Sequence, residues 1–209
     1  MEQEQVLIKY AKKEVKKSML TPLIEENKIM LLHGESGSGK TTYIIQHLNE
    51  HDITPVLWDF DDNEAEELES NNCSADIVDG YAMLKATEDE IKTLAGRVVV
   101  FDTWQLLQSE VGGEEVAYHM LKEFTKYGIT VVIVAHTVPY SGKEDRPDVK
   151  DEIYKHIKGR LYIRKTSLKN TIEYHLIIEK VRGYKGSKIK LLREDMVEGY
   201  VKRTPKASK

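Results

Sequence analysis

The chain has 209 residues, 40% of them hydrophobic and 32% charged, a balance suited to one globular core with short appendages. No stretch approaches the roughly 18 apolar residues of a membrane span, and the N-terminal MEQEQVLIKYAKKEVKK lacks the apolar region of a signal peptide. Cys73 is the single cysteine, which excludes a disulfide framework and a cysteine-based zinc site and fits a reduced thiol in a cytoplasmic protein.

In chain order, residues 4–27 read as an amphipathic helix or two short helices. Leu7, Ala11 and Val15 fall at helical spacing, opposite a face of lysines. Ile29–Leu32 reads as a core strand, followed by a glycine-rich turn and a helix to about Glu50. Pro55–Phe60 (PVLWDF) is a second strand ending in an acidic cluster. Residues 64–69 and 88–95 are short helices. Arg97–Trp104 (RVVVFDTW) and Thr130–His136 (TVVIVAH) are continuous apolar runs of the kind buried on both faces in parallel sheets, with a helix over Glu114–Tyr127 between them. The alternation predicts an α/β fold, a mostly parallel sheet covered by helices on both faces.

After His136 the polar stretch TVPYSGKEDRPDVKDE reads as a long loop. GRLYIRK, EYHLIIEKVR and KIKLLRED then read as strands that extend the sheet in antiparallel fashion. The expected organisation is an N-terminal helical segment (1–27), one core (28–200) and a basic, disordered tail (201–209).

Net charge is −4, unevenly spread: residues 31–130 carry 6 Lys/Arg against 20 Asp/Glu (−14), and residues 131–209 carry 19 against 10 (+9). Such asymmetry marks a polyanion-binding surface, a solvated basic face or a subunit contact.

Gly34-Glu35-Ser36-Gly37-Ser38-Gly39-Lys40-Thr41, followed by Thr42, fits G-x-x-x-x-G-K-[ST] in full. The glycines let backbone N–H groups converge on phosphate oxygens. The helix that follows adds its N-terminal dipole. Lys40 supplies a mobile positive charge to the β- and γ-phosphates, and the Thr41 hydroxyl is a Mg²⁺ ligand. The strand before and the helix after give the motif its required context. The second Mg²⁺ anchor expected of such a cradle is Asp102, at the end of VVVFD. ATP and Mg²⁺ are therefore the expected cofactors.

Hydrolysis needs a group that orients the attacking water. Many proteins with this loop place a Glu directly after the strand-end Asp, whereas Thr103 stands here. Asp59, Asp61 and Asp62 lie at the end of the neighbouring strand. In this the chain resembles the RecA superfamily, and the resemblance spans residues 28–200. Asp59-Phe60-Asp61 is similar to the family's Asp-x-Glu, which implies Asp61 as the catalytic carboxylate; it is one methylene shorter than Glu, and Asp62 is the alternative. VVIVAHT resembles the fourth core strand, whose terminal polar residue senses the γ-phosphate, which implies that role for His136. Lys180-Val181-Arg182 is similar to the cation pair that reaches a neighbouring subunit's γ-phosphate.

The chain looks closest to single-core members of the superfamily, the RadB-like proteins and small phage or viral RecA-like recombination ATPases. The resemblance implies a three-layer RecA-like core and a homo-oligomer with active sites at subunit interfaces. It further implies an ATPase acting on DNA, single-stranded by preference, in recombination, repair or replication. Two other function classes share the cradle: a nucleotide-switched regulatory or scaffolding module and a small-molecule kinase. Trp104 and Gln105 could belong either to a DNA-contacting loop or to the core.

Overall fold

The structure, a computed structural model, describes residues 28–60, 64–138, 146–168, 171–180 and 188–191. The N-terminal segment 1–27, the tail 201–209, and Asp61, Asp62 and Arg182 lie outside the described residues.

The strands are β1 (Ile29–Gly34), β2 (Val56–Asp59), β3 (Asp76–Asp79), β4 (Val98–Asp102), β5 (Thr130–Val138), β6 (Arg146–Pro147), β7 (Gly159–Leu168), β8 (Thr171–Lys180) and β9 (Lys188–Leu191). The helices are α1 (Lys40–Asn49), α2 (Glu64–Ser70), α3 (Gly80–Met83), α4 (Glu88–Lys92), α5 (Trp104–Glu110), α6 (Glu114–Lys126) and α7 (Asp151–His156). The sheet runs β3-β2-β4-β5-β1-β7-β8-β9, with β6 paired to the end of β5. The pairs from β3 through to β7 are parallel, and β7–β8 and β8–β9 are antiparallel.

Strand periodicity divides the core into two layers. Side chains at alternate positions face opposite sides of a sheet. Met30, Leu32, Val98, Val100, Val132 and Val134 pack with Ile44, Ile45 and Leu48 of α1 and Leu68 of α2. Ile29, Leu31, Val99, Phe101, Val131 and Ile133 pack against the other side. There they meet Trp104 and Leu107 of α5, Leu121 and Phe124 of α6, and Ile153 of α7. Because β1, β4 and β5 are covered on both faces, they are apolar at almost every position, as their sequences indicate.

The structure departs from the sequence expectations in four places. β7 joins the sheet parallel to β1, not antiparallel; antiparallel pairing begins only with β8. Of the stretch after His136, residues 139–145 lie outside the described residues, and the described part is not all loop. β5 continues to Val138, β6 pairs back on Thr137 and Val138, and α7 begins at Asp151. α7 is the crossover that lets β7 return in the same direction as β1. Residues 104–110 form α5 where no helix was expected, and of the two places left open for Trp104 the structure shows the core, with no exposed surface. Finally, β3 forms a parallel edge strand beside β2 where no strand was expected.

Among the described residues no helix is long and apolar enough to cross a membrane.

Candidate functional site

β1 delivers Gly34 at the C-terminal edge of the parallel strands, where the chain turns before entering α1. Ser38 N–H donates to the Glu35 carbonyl at 3.2 Å and closes the turn. Gly39 caps α1 at φ 72°, a left-handed conformation that glycine adopts without steric cost. Glu35, Ser36 and Gly37 are exposed at the outside of the turn, while Ser38, Lys40, Thr41 and Thr42 are buried. The Lys40 ammonium folds back to donate to the Glu35 carbonyl at 2.9 Å. The turn is closely fitted to its surroundings: a Cβ at Gly34 would lie 2.6 Å from the Ile163 carbonyl oxygen of β7 and 2.8 Å from Ser38 Oγ.

Strand register brings the acidic partners to the same edge. Asp59 pairs in register with Asp102, Asp102 with Val134, and Val134 with Leu32. His136 is level with Gly34 on the adjacent strand. By alternation, Gly34, Asp59, Asp102 and His136 all belong to the face that α1 covers. Asp59 and Asp102 are both buried. The Thr41 hydroxyl, in the first turn of α1, donates to Asp102 Oδ2. Thr103, directly after Asp102, is buried, and the peptide between them is cis.

The sequence-predicted residues Gly34 to Thr42, Asp102 and His136 thus converge on one site. Its donor set suits a magnesium–triphosphate group: two oxygen ligands in contact with each other, a lysine on the turn, and backbone N–H groups at a helix start.

Lys180 does not converge with them. It is level with Arg160 on β7 and, through β7, with Leu31. Two strand spacings and three residues of strand put it roughly 14 Å from Gly34. The Lys180 ammonium donates to the Lys155 carbonyl at 3.3 Å. Burial, then the like charges of Arg160 and Lys158, hold that ammonium below its ordinary range. A cation so placed gains from an anion brought in from outside.

Gln105, which the sequence leaves unplaced, lies beside these residues. From the start of α5 its Oε1 accepts from His136 N–H at 3.3 Å, and its amide reaches Asp148 Oδ2 at 3.4 Å. Asp148 N–H in turn donates to the His136 carbonyl at 2.9 Å. The end of β5 is therefore tied to the helix that follows Asp102. Only the position of Gln105 three residues after Asp102 pointed to it in the sequence.

A parallel sheet with a glycine turn after its first described strand, a buried Asp at the end of β4 and a polar residue at the end of β5 decides the architecture. The chain has an α/β fold, a mostly parallel sheet that ends in antiparallel strands. This fold is shared with solved structures. A KaiC-like protein from the hyperthermophilic archaeon Pyrococcus horikoshii OT3 superposes with a TM-score of 0.55 at 21% identity, over 79% of this chain and 84% of that one. No protein-family model matches the chain, and no curated protein matches it in sequence. Likeness at this identity is a likeness of fold, and the site rests on this chain's own residues.

Proposed function

We propose that this protein binds ATP with Mg²⁺ and hydrolyses it, and that it works on single-stranded DNA as a homo-oligomer in recombination, repair or replication. The meeting of the Thr41 hydroxyl with the Asp102 carboxylate beside the glycine turn carries the reading. In this assignment Gly34–Gly39 and Lys40 hold the phosphates, and Thr41 and Asp102 hold the cation, which would neutralise charge on the β- and γ-phosphates. Asp61, as the RecA resemblance implies, orients the attacking water. His136 reads the γ-phosphate from the strand next to Gly34. Lys180 and Arg182 serve the cradle of a neighbouring copy.

The +9 balance of residues 131–209 supports DNA as the partner. Several of these cations are paired within the chain: Lys150 with Glu115 at 3.1 Å and Arg146 with Asp151 at 3.6 Å. Exposed pairs of this kind contribute little, so DNA phosphates can compete for them. A second reading, a nucleotide-switched regulatory module, is favoured by Asp61, one methylene shorter than the Glu that the resemblance leads one to expect there.

The test is steady-state ATP hydrolysis without DNA, with single strands and with duplex, using Lys40→Ala as the blank. Stimulation by single strands that declines steeply with salt supports the proposal, because phosphate contacts release counterions. A flat, slow rate in all three conditions favours the switched module. Turnover retained by Lys40→Ala overturns the assignment of the cradle.

A further inference from the structure

A second polar cluster is built on the face of the sheet opposite α1. His33 immediately precedes Gly34, and alternation along β1 turns its ring to the side covered by α7. The residue has no exposed surface. Its ring stacks on Tyr162 of β7, centroids 4.8 Å apart and planes 7° from parallel, and meets Tyr154 of α7 edge-on at 6.5 Å. His33 Nε2 lies 3.0 Å from Glu179 Oε2. The Tyr154 hydroxyl donates to the same oxygen at 2.7 Å. The Arg160 guanidinium lies 4.1 Å from the centroid of the Tyr154 ring and donates to the Tyr154 carbonyl at 3.3 Å.

Glu179 reaches His33 from two strands away because β8 is irregular there. Leu161 pairs with Ile178 and Arg160 with Lys180, which leaves Glu179 as the extra residue of a bulge. A bulge re-aims the side chain it carries. Burial works to raise the Glu179 carboxyl. Hydrogen bonds from His33 and Tyr154, with the neighbouring His33 and Arg160 charges, outweigh burial and hold the carboxyl below its ordinary value. The ionised carboxylate is an acceptor, so the bond assigns a proton to His33 Nε2. His33 Nδ1 is buried without a hydrogen-bond partner among the described residues.

This arrangement is poorly explained as packing. The other residues of β1 on this face, Ile29 and Leu31, are apolar and bury without needing partners. The polar link is instead placed one residue before the turn, across β7, the strand whose Ile163 carbonyl limits the space at Gly34. The separation of β1 and β7 at this level therefore sets where the turn begins.

We propose that Glu179, acting through His33, is a positioning residue for the phosphate cradle. The bond across β7 fixes the end of β1, and with it the backbone N–H groups that the turn presents. The inference rests on the nucleotide reading of the site given above.

The experiment measures Mg-ADP affinity by calorimetry and KM and kcat for ATP, for the unsubstituted protein and for Glu179→Ala, Glu179→Gln and His33→Phe. Thermal unfolding establishes which variants are folded. Loss of about one hydrogen bond to a charged phosphate corresponds to about a tenfold loss of affinity. Glu179→Ala is expected to lose about that factor in ADP affinity and to raise KM in parallel, with kcat held within about twofold. His33→Phe keeps a ring for Tyr162 to stack on but has no donor, and is expected to match Glu179→Ala, so the outcome does not depend on one variant folding. Glu179→Gln still offers His33 an acceptor oxygen and is expected to remain near the unsubstituted protein. Undiminished ADP affinity in a folded Glu179→Ala or His33→Phe variant overturns the proposal, as does equal loss in Glu179→Ala and Glu179→Gln. Failure of the unsubstituted protein to bind ADP would overturn the nucleotide reading itself, and this inference with it.

Discussion

The Thr41 hydroxyl donates to the carboxylate of Asp102, 61 residues further along the chain. Neither residue reaches the other by local structure. Thr41 is held by α1, whose start is set by Gly39, and Asp102 by β4, two strands from β1 through β5. The contact therefore reports the register of three parallel strands and the seating of one helix at once. It also places two oxygen ligands where a divalent cation beside the phosphates would need them.

Asp102→Asn tests that assignment with little disturbance to the fold. The amide oxygen still accepts from Thr41, but the negative charge on the cation is lost. Turnover at saturating Mg-ATP is expected to fall about a hundredfold or more, while the thermal midpoint stays close to that of the unsubstituted protein. Chelation of Mg²⁺ should abolish turnover in the unsubstituted protein. Near-normal turnover in a folded Asp102→Asn variant would remove Asp102 from the site.

Two glycines of the turn should respond differently to alanine. At Gly34 the new methyl meets a backbone oxygen of β7 that cannot rotate away. At Gly37 it meets nothing within 4 Å, and the penalty is that of φ +66° alone. Gly34→Ala is expected to destabilise by about 3 kcal/mol and Gly37→Ala by about 1 kcal/mol, read as urea midpoints. The reverse order would mean that the β1–β7 spacing is looser than the structure shows.

The parts of this fold that could be read from sequence are those in which one physical cause dominates. β1, β4 and β5 are buried on both faces and so appear as apolar runs; the glycine turn is a pattern of backbone requirements with no substitute. What could not be read depends on partners distant in sequence. The direction of β7 is decided by α7, a six-residue helix in the charged stretch DEIYKH whose buried residue is Ile153. β3 is an exposed edge, so DIVD lacks the apolar signature of its neighbours. Glu179 reads as an ordinary outward charge in EYHLIIEKVR until the bulge turns it towards His33. Lys180, adjacent to it, matches a motif, yet only the register shows that it points away from the chain's own cradle.

Acid stability should carry the signature of Glu179. Its carboxyl lies below its ordinary value in the folded chain. Such a group contributes stability that is fully present above its unfolded value, about 4.3, and is lost as pH falls through the folded value. Urea midpoints should therefore hold from neutrality down to about pH 5 and fall more steeply below about pH 4. Glu88 and Glu90 are also lowered, by Lys92 and Thr87 respectively, and add to the same slope. The difference between the unsubstituted protein and Glu179→Gln isolates the Glu179 share. Parallel profiles for the two proteins would show that its ionisation is not linked to folding.

The position of Lys180 makes the strongest demand on assembly. Its backbone lies roughly 14 Å from Gly34 by strand geometry, and its ammonium is turned to the Lys155 carbonyl, not to its own cradle. If it and Arg182 contribute to hydrolysis, they do so across an interface. Lys180→Ala and Arg182→Ala should then bind Mg-ADP as the unsubstituted protein does while losing turnover in the assembled state. Mixing supplies the sharper measurement. Lys40→Ala subunits keep both cations but have a disabled cradle; Arg182→Ala subunits keep the cradle but lack one cation. Each is expected to be inactive alone. In a random equal mixture about a quarter of head-to-tail interfaces would join an intact cradle to an intact cation pair. Turnover should therefore reappear on mixing, at about that fraction of the unsubstituted rate. Cations acting within one subunit could not be complemented in this way, and a mixture as inactive as its components would place the catalytic charge elsewhere.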